Sequence, residues 1–82
     1  MNFKDYINED TKTPEDLVKI LNDYSATLVL LKNVTEKDVI YWCDGSVDFA
    51  EDFSDEFDMT KREFIEFCQE IKKNSKAISK LL

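Results

Sequence analysis

The chain reads as an α+β domain: a helix, a three-stranded antiparallel meander, and a long C-terminal helix laid across one face of the sheet. Three features predict it. Thr13-Pro14-Glu15-Asp16 and Thr60-Lys61-Arg62-Glu63 are helix starts, each followed by apolar residues at helical spacing. Between them lie two short apolar or β-branched runs, Thr27–Leu31 and Val39–Cys43. Asp44-Gly45, directly after the second run, supplies the dipeptide favoured at a two-residue hairpin turn.

The 82 residues, 43% of them apolar, amount to one small acidic domain spanning 1–82, near the size at which a single core just outweighs chain entropy. At the start, Phe3, Tyr6 and Ile7 stand at helical spacing and suggest a packed arm or a single turn. The first helix should run from Pro14 to about Tyr24. Thr13 caps it, Pro14 occupies the first turn where its missing N–H is harmless, and Leu17, Ile20, Leu21 and Tyr24 form the face to be buried. In the meander, a two-residue turn pairs Cys43 with Ser46, Trp42 with Val47 and Ile40 with Phe49. One sheet face then reads Ile40, Trp42, Val47, Phe49. The last helix opens on the capping box Thr60/Glu63 and repeats apolar or small residues at Phe64, Phe67, Cys68, Ile71, Ser75, Ile78 and Leu82. An all-α small helical domain is the competing fold. Thr35-Glu36-Lys37-Asp38 is also a capping box, Val34 can staple to Val39, and Phe49, Phe53 and Phe57 are four residues apart.

Several function classes fall away on composition. The chain has no histidine, hence no usual general base near neutral pH, and its single glycine cannot build a phosphate-cradling loop. Enzymatic activity is not expected, nor is a cofactor. Cys43 and Cys68 are isolated from any metal-binding spacing and read as reduced thiols acting as small hydrophobes. Carboxylates at Asp44 and Asp48 with Ser46 between them offer oxygen ligands to calcium or magnesium, but the EF-hand glycine is missing. Asn33-Val34-Thr35 fits the glycosylation pattern, yet the N-terminus has no basic region followed by an apolar one, so the expected compartment is the cytoplasm. No apolar run approaches the ~20 residues that cross a bilayer, and membrane association is not expected.

Charge is where the chain departs from an ordinary small domain. Asp38, Asp44, Asp48, Glu51, Asp52, Asp55, Glu56 and Asp58 follow one another without a single Lys or Arg before Lys61, and they account for the whole net charge of −7. Phe49, Phe53 and Phe57 lie in the same run and would supply a rigid apolar backing. One account is a solvated face that keeps the protein soluble. The other is a binding surface, because like charges at this density repel and cost stability. Carboxylates two apart on a strand or four apart on a helix are about 6–7 Å apart, comparable to neighbouring phosphates on a nucleic acid strand. Asp44, Asp48, Glu51, Asp52, Asp55, Glu56 and Asp58 are therefore the candidate partner-binding residues, imitating a polyanion toward a basic nucleic-acid-binding protein. Direct binding of nucleic acid is disfavoured by the same charge.

In element order and in its carboxylate-rich connector the chain resembles small phage-encoded inhibitors of the anti-CRISPR, DNA-mimic class. That resemblance rests on architecture and charge and implies an effector nuclease as the partner and a bacterial host cytoplasm as the place of action. The alternative is an antitoxin- or immunity-type interaction module that uses Tyr41, Trp42 or the last helix as an apolar anchor.

Overall fold

The computed structural model describes residues 13–82, in which the regular elements are all helices and there is no strand. The elements are α1 (Pro14–Asp23), a 3-10 turn (Thr27–Leu30), α2 (Glu36–Asp48), α3 (Ala50–Glu56), α4 (Lys61–Lys73) and α5 (Ser75–Leu81). The expected α+β meander is thus overturned in favour of the all-α fold. Phe3, Tyr6 and Ile7 lie outside the described residues.

The physical reason lies in residues 34–50. Thr35 and Asp38 close the capping box: the Asp38 N–H donates to Thr35 Oγ1 at 3.2 Å, and the Thr35 N–H donates to Asp38 Oδ2 at 2.9 Å. Such a cap contributes about 1 kcal/mol, more than the few tenths by which Val or Ile disfavour a helix. Val39, Cys43, Ser46 and Ala50 are buried on one face, with Val47 half-buried beside them, a spacing that only a helix produces. Gly45 accordingly sits inside α2 with an ordinary negative φ instead of turning a hairpin. The other expected strand, Thr27–Leu31, is one 3-10 turn that drops Leu28 into the core.

The helix starts at Thr13 and Thr60 are as expected. Thr13 Oγ1 accepts the Asp16 N–H at 3.3 Å, and Leu17, Ile20 and Leu21 are buried. Thr60 and Glu63 form the second capping box, with bonds of 3.1 and 2.9 Å. Phe64, Phe67, Cys68, Ile71, Ser75 and Ile78 are all buried, but the long helix is broken at Asn74. There the Asn74 side chain donates to the Glu70 carbonyl at 2.8 Å, an amide competing for a backbone acceptor.

α1 and α3 end alike. The Ala26 N–H donates to the Leu21 carbonyl and the Ser25 N–H to the Asn22 carbonyl; Met59 and Asp58 repeat the pattern on Ser54 and Asp55. These are Schellman closures, and Ser25 (φ 53°) and Asp58 (φ 56°) fill the left-handed position that glycine normally takes.

α2 packs on α4 and α5, α3 on α4, and α1 on α5 and α4. Phe57, 2% exposed, lies at the centre of the aromatic packing, with ring centroids 5.5 Å from Tyr24, 5.4 Å from Phe64, 5.6 Å from Phe67 and 6.4 Å from Trp42. The first residue past α3 is therefore the one that ties the acidic helix to the rest of the molecule.

Candidate functional site

α3 is a short helix built by its buried side. Ala50 and Ser54 face the core, the Ser54 hydroxyl donates to the Glu51 carbonyl at 3.1 Å, and Phe53 stacks on Phe64 at 6.3 Å. The remaining α3 positions are Glu51, Asp52, Asp55 and Glu56, all exposed and forming two i,i+4 pairs of like charge. Nothing in this helix relieves that repulsion, so its conformation is held by the core contacts of Phe53 and Phe57.

The seven candidate carboxylates are all exposed but face different ways. Asp44 projects from α2 toward α4, where it accepts a hydrogen bond from Lys72 Nζ at 2.9 Å. That bond, reinforced by the opposite charge, raises the Lys72 pKa. Glu51 lies 3.6 Å from Lys61 Nζ. Asp48, Asp52, Asp55, Glu56 and Asp58 have no ion pair among the described residues. Helical periodicity separates Glu51 and Asp55 from Asp52 and Glu56, with the second pair lying one turn from Phe49 and Phe53.

Phe49 is not the inward backing expected of it. It stands at the α2–α3 junction, 62% exposed, in the wall of an apolar groove. The groove holds about 390 Å³. Trp42, Gly45 and Tyr41 of α2 line it together with Leu31 and Phe53. Tyr41 is 82% exposed and Leu31 53%. Trp42 Nε1 donates to Thr27 Oγ1 at 2.9 Å, which joins the 3-10 turn to α2 and leaves the indole donor satisfied.

The sequence-based reading found Tyr41 and Trp42 but missed Leu31, Phe49 and Phe53 as one surface. The signal was present in helical form, since Asp38, Tyr41, Trp42, Gly45 and Phe49 recur at intervals of 3, 1, 3 and 4. α2 is apolar on two sides, and only one of them meets the core.

A second cavity of about 430 Å³ lies on the other side of α2, between Asp44, Asp48 and Lys72, with Cys43 and Cys68 at its base. Both cysteines are buried and free. A hydrogen bond from the Cys68 thiol to Cys43, with burial adding to it, holds the Cys68 pKa far above its usual range, so this sulfur stays a thiol. Ser46, considered above as an oxygen ligand between Asp44 and Asp48, turns into the core instead. Among the described residues no three His, Cys, Asp or Glu side chains converge as a metal site, and no helix is long and apolar enough to cross a membrane. Compared with protein-family models, curated proteins and solved structures, the chain matches none of them.

Proposed function

We propose that the protein is a non-enzymatic inhibitor acting in the cytoplasm, which binds the basic nucleic-acid-binding surface of a partner protein by imitating a polyanion. An effector nuclease of the kind blocked by anti-CRISPR proteins is the partner type that fits this reading. The observation that carries it is α3, whose whole outer surface is carboxylate while its inner side is anchored by Phe53 and Phe57. Anchoring matters because a rigid array loses little conformational freedom on binding, whereas a disordered acidic tail must be ordered first. Asp48, Asp52, Asp55, Glu56 and Asp58, without an ion pair among the described residues, have no bond to break there before they meet a cation. Asp44 and Glu51 would first have to release Lys72 and Lys61.

The test is capture of partners from lysate on the immobilised protein, washed across a salt gradient, beside an Asp52→Lys/Asp55→Lys/Glu56→Lys variant. A basic nucleic-acid-binding protein that elutes at moderate salt, is absent from the variant and is displaced by DNA is the expected result. Retention by the charge-reversed variant overturns the reading.

The exposed Tyr41 and Phe49 favour a second reading, an antitoxin- or immunity-type module anchored by aromatic side chains. There Tyr41→Ala would abolish capture and charge reversal would only slow association.

A further inference from the structure

The groove of Trp42, Gly45 and Phe49 ends at Phe49 and Phe53, one helical turn from the α3 carboxylates Asp52 and Glu56, and together they specify an occupant. We infer that this groove is the docking site for a basic amphipathic helix of the partner protein, an assignment that rests on the reading of this chain as a binder of a basic protein.

The groove is shaped for apolar side chains and offers almost nothing to a small polar ligand. Trp42 Nε1 is already bonded to Thr27, Asp38 is bonded to the Thr35 backbone, Gly45 has no side chain, and Ser46 faces the core. Recognition there comes from burying Tyr41, Trp42, Phe49 and Leu31 against an apolar face, and Tyr and Trp are the residue types that most often anchor such contacts.

Charge then selects the partner. Asp52 is one turn beyond Phe49 and Glu56 one turn beyond Phe53, so the rim at the α3 end is acidic, and neither carboxylate has an ion pair among the described residues. Lys37, one turn before Tyr41, marks the opposite end. A helix with leucine-type residues at i, i+3/i+4 and i+7 and lysine or arginine on its flanks satisfies both halves, in the helix-in-groove mode of recognition. Its cationic end lies over α3.

A fluorescent leucine–lysine peptide with helical periodicity is the probe. Its controls are a scrambled peptide of the same composition and an oligolysine. Full-length protein is expected to bind the periodic peptide best. Tyr41→Ala/Phe49→Ala should weaken that binding about tenfold or more while leaving oligolysine binding unchanged.

Gly45→Gln serves as a second variant. A Cβ at Gly45 meets nothing within 4 Å, so the larger side chain fills the groove without disturbing the core, and it should weaken the periodic peptide similarly. Equal binding of periodic and scrambled peptides, or undiminished binding by both variants, overturns the assignment. If those variants bind normally while Asp52→Lys/Glu56→Lys does not, the groove is excluded and polyanion mimicry stands alone. If charge reversal leaves capture of the lysate partner intact while Tyr41→Ala abolishes it, mimicry falls and the groove remains. A concentration-dependent dimer that Tyr41→Ala dissolves would identify a second copy as the occupant, and tighter peptide binding on Phe3→Ala/Tyr6→Ala would identify the chain's own N-terminal residues. Either would overturn the assignment.

Discussion

Gly45 discriminates between the two folds by a single methyl group. Inside α2 it gives up backbone entropy for no packing gain, and its Cβ position is open. Gly45→Ala is therefore expected to raise stability by about 0.5–1 kcal/mol, read as a higher denaturant midpoint at unchanged slope. In a type I′ hairpin the same change would force a positive φ on alanine and destabilise. Ser25 is the opposite case, a non-glycine residue at φ 53°. Ser25→Gly should stabilise the protein, by up to about 1 kcal/mol. Cys68 provides a pH signature. Its pKa is raised in the folded state, so above the unfolded value of about 8.5 the native state holds a proton that the unfolded state has lost. The stabilisation is complete below that pH and is lost as pH rises, by at most about 1.4 kcal/mol per unit. Chemical denaturation at pH 8 and pH 10 should show a smaller loss for Cys68→Ala than for the unmodified chain.

At the scale of elements, the threonine caps were readable, that of Thr35 only in the competing all-α fold, and the apolar runs between them were not. Thr13, Thr35 and Thr60 each stand where a hydroxyl closes the first turn of a helix, and each accepts the expected backbone N–H. Thr35→Ala removes the acceptor that starts α2. It should cost about 1 kcal/mol. Val39–Cys43 read as a strand because β-branched and aromatic residues suit both a half-buried strand and a buried helix, and five residues are too few for periodicity to decide. Extending the window to Ala50 exposes the helical period. The Asp44-Gly45 signal outweighed it, although the pairing it implied set Ile40, Trp42, Val47 and Phe49 on one face; in the structure Trp42 and Phe49 line the groove, and Ile40 and Val47 are half-buried outside it.

For the whole molecule, stability and the proposed binding pull in opposite directions on α3. Glu51/Asp55 and Asp52/Glu56 each cost about 0.2–0.5 kcal/mol by repulsion, so Asp52→Lys/Glu56→Lys leaves the helix no worse placed with its neighbours and relieves the local excess of charge. The variant should unfold at the same or higher denaturant concentration than the unmodified chain and yet lose the basic partner. Unmodified protein should itself gain stability with added salt, as screening weakens the repulsion. Phe57 bears the converse load. Its ring joins α3 to Tyr24, Trp42, Phe64 and Phe67, and Phe57→Ala is expected to remove about 3–5 kcal/mol, enough to unfold a domain this small.

Read by itself, the amino-acid order determined where α1 and α4 begin, most of the residues by which α1, α4 and α5 face inward, and that negative charge would concentrate between Asp38 and Asp58. These are local properties, set by caps, periodicity and composition. Tertiary structure decided the rest. α4 and α5 offer α2 a helical face to pack against, and that contact settled a segment whose own residues suited strand and helix alike. The same packing chose which of the two apolar sides of α2 enters the core. The other side, with Tyr41 and Phe49, became an exposed groove beside the carboxylates of α3, because a helix of this length can bury only the face its neighbours cover.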